Sequence, residues 1–297
     1  MVLGLVEGPE IKARVSIATQ SFLGPEKVIQ RLLAAVEDMI RQARPLTIAG
    51  MGLAAPGVMD HCHKSIVYSP NLNWHNIPLV DILQTKLRVP VWMENDADLY
   101  ALGEYVNGQG QNMYDLICIT LGTGVGGGII CNGKIMQGQS GWTSELGHAI
   151  VQPGGMLCGC GNRGCLEAYA SATGMQNLLR AALAAGQASV LRPDDGVKAM
   201  EDAARQKDAV ALTVFQQASQ ALSIGIINAV LITGIEKIVL GGGVAKGWPL
   251  MREFVWQSVR DNLKIIDWRK LTIEISQLGN DAPLLGAAAL VKDNLNI

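Results

Sequence analysis

From Glu26 to Ala43 the apolar side chains Val28, Ile29, Leu32, Leu33, Val36, Met39 and Ile40 return every three or four residues, and Pro25 suits a first turn. This period predicts an amphipathic helix. Strand-like and helix-like stretches then alternate: TIAGMGL at 47–53, a short helix after Pro78 (LVDILQTKL), VPVWMEN at 89–95, and a helix from Asp96 to about Val106. DLICITL (115–121) reads as a buried strand. Beyond the glycine loop that follows it, GGIIC, Asn132-Gly133 and KIMQ read as a β-hairpin. The second half is more helical, with periodic stretches at about 173–185 and 208–232, then a strand IEKIVL closed by Gly241, Gly242 and Gly243 and a helix from about 249. A strand candidate, LTIEISQ (271–277), precedes PLLGAAALVKD, whose small residues Gly286, Ala287, Ala288 and Ala289 suit a closely packed helix. The pattern predicts α/β architecture.

At 297 residues the chain is long enough for two domains. The polar stretch NGQGQNM (107–113) places a boundary between a small lobe at 1–110 and a large lobe at 111–297, with the last helix, about 283–293, able to pack back on the small lobe. Hydrophobic residues make up 49%, yet apolar runs are short and broken by Gly, Pro or Asn, and the N-terminus lacks the form of a secretory signal. A cytoplasmic protein with no membrane partner is expected. The 24 basic and 26 acidic side chains form no cationic cluster, which argues against nucleic acid as a partner.

The 34 glycines concentrate at 122–128 and 241–243, so they read as ligand loops rather than linkers. In LGTGVGGG (121–128), missing Cβ atoms let backbone N–H groups approach phosphate oxygens. Gly122, Gly124 and Gly127 also satisfy GxGxxG, but a dinucleotide site needs a helix after the loop, and a hairpin follows here. Phosphate binding between two strands is favoured over a Rossmann loop or a plain tight turn. His148, Cys158, Cys160 and Cys165 lie within 18 residues of sequence, among glycines at 155, 159, 161 and 164. Cys3His ligation of tetrahedral zinc fits them better than a redox pair or simple core cysteines, and four protein ligands imply a structural ion. Cys62, Cys118 and Cys131 stand apart. Glu145, three residues before His148, and Glu167, two after Cys165, flank that motif; fixed by it, they would accept hydroxyls of a polyol, the alternative being two solvated surface charges. Glu94-Asn95-Asp96 closes a strand where a helix begins. Helix capping is one reading; the chemical one makes Asp96 a general base for a sugar hydroxyl attacking a γ-phosphate.

Taken in order, APG (55–57), PNLNW (70–74), END (94–96), LGTGVGGG, ELGH (145–148), CGCGNRGCLE (158–167) and LGGGVA (240–245) resemble the ROK family of sugar kinases and related repressors. The resemblance implies the actin-like, ribonuclease-H-like ATPase fold: two α/β lobes around a cleft, ATP in the larger lobe, and a homodimer. It implies Asp96 as catalytic base and hexose hydroxyls held by Asn95, Asp96, Glu145, His148 and Glu167, with Asn71 near the sugar. It further implies zinc on His148, Cys158, Cys160 and Cys165, phosphate contacts from Gly122, Thr123, Gly124 and Gly126, and an adenosine side at Gly241, Gly242 and Gly243. ATP, Mg2+ and a hexose, glucose or a close relative phosphorylated at the 6-hydroxyl, are the expected ligands. The family also begins with a strand and a phosphate loop of the type DxGGT, whereas this sequence opens MVLGLVEGPEIKARVSIAT and holds no such loop. On that basis the chain is expected to lack that strand and turn, which would spare the sugar and zinc sites and impair phosphoryl transfer. An ATP-dependent hexose kinase is the leading reading. A sugar-binding protein without activity comes second, and a nicotinamide oxidoreductase third.

Overall fold

The computed structural model describes residues 1–139 and 143–296, in two units. The first comprises residues 1–114, 128–143 and 280–297; the second comprises residues 115–127 and 144–279.

In the first unit β1 (Val2–Glu7) and β2 (Glu10–Ser16) form an antiparallel hairpin. The predicted helix is α1 (Pro25–Gln42), with Pro25 in its first turn and Val28, Ile29, Leu32 and Val36 buried. β3 (Met51–Ala55) begins four residues later than the TIAGMGL pattern suggests, since the apolar Ile48 lies outside the strand. Three short strands, β4 (Val58–Met59), β5 (Ile66–Ser69) and β6 (Trp74–Ile77), pair antiparallel before α2 (Leu79–Leu87). β7 (Val91–Asn95) pairs parallel with β3 from Met51↔Val91 to Ala55↔Asn95 and feeds directly into α3 (Asp96–Asn107).

The second unit opens with β8 (Leu116–Leu121), and β9 (Val125–Cys131) starts within it. From Gly128 onward the chain belongs to the first unit, where β9 turns at Asn132 (φ 51°) and Gly133 (φ 75°) to pair with β10 (Lys134–Ile135). The hairpin is as predicted, but residues 128–143 are not part of the large lobe to which the sequence pattern assigned them. Packing explains this: a Cβ on Gly128 would meet the Ala101 methyl carbon at 2.7 Å, and on Gly133 the Tyr105 hydroxyl at 3.1 Å, both on α3.

Helices α4 (Glu167–Ala170), α5 (Ala172–Ala184), α6 (Val197–Arg205) and α7 (Ala209–Thr233) precede β11 (Lys237–Gly241), α8 (Trp248–Asn262) and β12 (Thr272–Ile275). β11 lies between β8 and β12, parallel to both, with Ile117, Cys118, Ile119, Ile238, Val239 and Leu240 fully buried. Helix α7 is long and apolar enough by length and composition to cross a membrane, yet 67% of its apolar window is buried within the protein. It is a core helix packed by α4, α5, α6 and α8.

The last helix, α9 (Ala282–Leu295), belongs to the first unit and packs on α3, β3 and β1. Its small residues are required there. A Cβ on Gly286 would collide with the Leu99 carbonyl, and one on Gly103 of α3 with the Ala282 carbonyl. The two backbones therefore touch with nothing between them.

Candidate functional site

Each unit carries part of the expected site. In the first, β7 stops at Asn95 (φ −58°, ψ 147°), whose Oδ1 accepts the Ala97 N–H at 2.8 Å and so caps α3. The capping reading therefore holds for Asn95. Asp96 opens the helix and is exposed, its Oδ1 taking the same N–H at 3.0 Å. Surrounding protein raises its carboxyl above the ordinary range, opposed by the backbone N–H of Ala97. A raised carboxyl holds a proton more readily than an ordinary carboxylate, and the exposed side chain leaves it open to a ligand hydroxyl. An ionised carboxylate within reach of a ligand hydroxyl is what general-base chemistry requires. Asn71 sits on the exposed turn between β5 and β6.

Glu94 is the residue whose part in this junction the motif did not reveal. It is 2% exposed. Its Oε1 accepts the Asn95 N–H at 2.9 Å, while Oε2 accepts from Gln137 Nε2 at 3.1 Å and faces His63 Nδ1 at 2.9 Å. This carboxylate raises the imidazole of His63 above its ordinary value, against the effect of burial. No spacing signal joins residues 63, 94 and 137.

In the second unit the two glycine turns lie side by side at the C-terminal ends of β8 and β11, where α/β sheets place ligands. The first turn, Gly122–Gly124, is closed by the Gly122 N–H on the Gly124 carbonyl at 2.9 Å. Thr123 is exposed at its tip, and its carbonyl accepts from Thr173 Oγ1 at 2.9 Å; Gly126 follows in β9. In the second turn, Gly242 is left-handed (φ 87°) and sits against the Leu121 carbonyl, so a side chain there is excluded twice over; Gly241 is buried and Gly243 exposed.

Glu167 joins the first turn to the cysteine cluster. Its Oε2 accepts the Val125 N–H at 3.0 Å and its Oε1 the Cys158 thiol at 3.5 Å, and a Cβ on Gly124 would strike the same carboxylate. One donor on each oxygen leaves acceptor capacity for a further hydroxyl. The ligand atoms of His148, Cys158, Cys160 and Cys165 all lie within 4.8 Å of one another, with Cys160 and Cys165 sulfurs 3.7 Å apart and Cys158 Sγ 3.8 Å from His148 Nδ1. The loop holds this shape by its own hydrogen bonds, among them Cys158 N–H to the Asn162 carbonyl at 2.8 Å, and by Gly164 in a left-handed conformation (φ 85°). Three thiols and an imidazole at this spacing suit zinc. Burial pushes the Cys158 thiol up to about 12; at Cys160 burial acts in the same direction, but hydrogen bonds from the Asn162 N–H and from Cys158 and Cys165 together bring the thiol down. The three-residue spacing of Glu145 and His148 would place both on one face of a helical turn. The turn is a 3-10 turn, Leu146–His148, entered from Glu145, whose carbonyl accepts the His148 N–H at 3.0 Å. Glu145 is exposed.

Paired glycine turns at parallel strand ends beside a Cys3His cluster define a class, the actin-like ATPases of the sugar-kinase type. Residues 11–294 match the ROK family, and the chain belongs to that family. It is 33% identical to the glucokinase of Thermotoga maritima, across 99% of this chain and 94% of that protein. The ROK family glucokinase from Streptomyces griseus, solved in complex with glucose and AMPPNP, superposes with a TM-score of 0.81 at 33% identity, covering 98% of this chain and 95% of that one. The xylose repressor of Caldicellulosiruptor bescii is 29% identical over 90% of this chain and 68% of its own length.

Proposed function

We propose that the protein transfers the γ-phosphoryl group of ATP, with Mg2+, to a hexose, glucose or a close relative, at the 6-hydroxyl. The observation that carries this reading is Asp96: an exposed carboxylate fixed at a strand-to-helix junction by a hydrogen bond from the Ala97 N–H. In this reading Asp96 accepts the hydroxyl proton as the sugar oxygen attacks phosphorus, and ADP leaves. Asn71, Asn95, Glu145, His148 and Glu167 hold hydroxyls. Gly122, Thr123, Gly124 and Gly126 receive phosphate oxygens, and Gly241, Gly242 and Gly243 line the adenosine side. Zinc on His148, Cys158, Cys160 and Cys165 is structural, locking the segment that bears Glu167. The glucokinase likenesses support this reading; a cytoplasmic homodimer is part of the same proposal.

The test is coupled ADP release with a hexose panel. Asp96→Asn should lower kcat about 100-fold or more, roughly 2.7 kcal/mol, with little change in sugar affinity; a near-normal kcat refutes the assignment. The xylose repressor likeness favours a second reading, a sugar-binding protein of the same family without turnover, either a degenerate kinase or a sensor. Hexose binding by calorimetry with no ADP release from any hexose would establish it.

A further inference from the structure

The set of residues proposed to hold sugar, phosphate and zinc makes no use of the buried cluster immediately behind Asp96. Glu94, 2% exposed, is surrounded by three donors: the Asn95 N–H, the Gln137 amide and the His63 imidazole. Only His63 can bring a compensating charge, and a carboxylate this deeply buried requires one. The loop that delivers His63 is built for the purpose. Asp60 Oδ1 accepts the N–H groups of Lys64 at 2.7 Å and Ser65 at 3.1 Å, the Asp60 carbonyl accepts the His63 N–H at 2.9 Å, and His63 itself is held left-handed at φ 52°. A non-glycine residue stays in that conformation only when its surroundings impose it. The charged groups facing the imidazole are Glu94 on β7 and Asp60 at the head of its own loop, both anionic; the Met93 carbonyl adds a further acceptor.

We infer that the His63–Glu94 ion pair is a positioning device for Asp96: His63 neutralises Glu94, which can then hold the Asn95 N–H and fix the junction from which Asp96 projects. The inference rests on Asp96 being the base of the proposed phosphoryl transfer. His63 touches no reacting atom and is a positioning residue. Both anions facing it favour its charged form, so the pair is held together on the acid side of the imidazole's titration. As pH rises and the imidazole loses its proton, Glu94 remains buried without a countercharge, the Asn95–Asp96 junction loosens, and turnover falls on the alkaline side.

The experiment follows kcat and hexose KM from pH 6 to 9.5, using the hexose that gives fastest ADP release, for wild type, His63→Ala and His63→Arg. His63→Ala should lose at least about 10-fold in kcat at pH 7 with KM within about 3-fold. His63→Arg carries a charge that does not titrate, so it should recover at least about half the rate and hold it to pH 9. Carbon-13 imidazole NMR on the folded proteins should place the His63 titration at the midpoint of the wild-type alkaline fall, and Glu94→Gln should move that titration downward. An unchanged kcat in His63→Ala, an alkaline fall that persists in His63→Arg, or a His63 titration indifferent to Glu94→Gln overturns the positioning role while leaving Asp96 as base. If wild type releases no ADP with any hexose, the kinase reading fails and this inference falls with it.

Discussion

Glu94 in the first unit and Glu167 in the second do the same local work by different chemistry. Each is a carboxylate that fixes one backbone N–H beside a proposed functional group: Glu94 the N–H of Asn95, next to Asp96, and Glu167 the N–H of Val125, at the exit of the glycine turn. Glu94 is countered by an imidazole at 2.9 Å and is almost sealed from solvent; Glu167 is half-buried and leans on Cys158 of the cysteine cluster. One anchor therefore answers to protons and the other, if the proposed zinc site is filled, to a metal ion. That contrast tells which perturbation should reach which half of the chemistry.

The largest effect should come from removing the metal. Purified protein is expected to hold one zinc per chain by elemental analysis, and Cys160→Ala should lose it, lower Tm by several degrees and weaken binding of an ATP analogue and a hexose together, since the same segment carries Glu167. Stoichiometric absence of zinc from carefully prepared protein would erase the distinction between the two anchors. Next, Glu94→Ala should cost about 2–3 kcal/mol in denaturant unfolding, because it leaves the Asn95 N–H and the partly buried His63 imidazole without their acceptor. A loss below about 1 kcal/mol would mean that Glu94 is no anchor. Glu167→Gln keeps an acceptor for Val125 and should cost less, about 1–2 kcal/mol, read as weaker ATP-analogue binding with the His63 titration undisturbed. The smallest effect is the pH dependence of stability. His63 binds its proton more tightly folded than unfolded, so its contribution is complete below the ordinary value of 6.5 and disappears as pH rises through the folded value. Unfolding midpoints of wild type should fall across that window and those of His63→Ala should not; parallel curves would remove the pair's contribution.

The two anchors also differ in how far the sequence exposes them. Cys158, Cys160, Cys165 and Glu167 fall within ten residues, so one local motif announces them, and the Asn132-Gly133 turn and the face of α1 are equally local signals. His63, Glu94 and Gln137 are brought together by folding across more than 70 residues, and none stands in a periodic pattern that marks it. Glu94 read as a strand residue in VPVWMEN because its partners lie far along the chain. Strands β4 to β6 escaped for another reason: they span two to four residues, and β6 exposes His75 and Asn76, so no apolar alternation develops. Residues 128–143 joined the unexpected unit because hairpin signals specify pairing but not the helix on which the hairpin packs.

The contact between α9 and α3, where glycines bring two backbones together, sets an order on biosynthesis. About 175 residues separate Asn107 from Ala282, and at about 5–20 residues per second a ribosome needs roughly 10 to 35 s to bridge that interval. The longest stretch of the second unit, residues 144–279, is contiguous and emerges before α9. Throughout that time the nascent first unit holds the Leu99 and Gly103 surface of α3 without its cover, so the half of the molecule begun first is the one finished last.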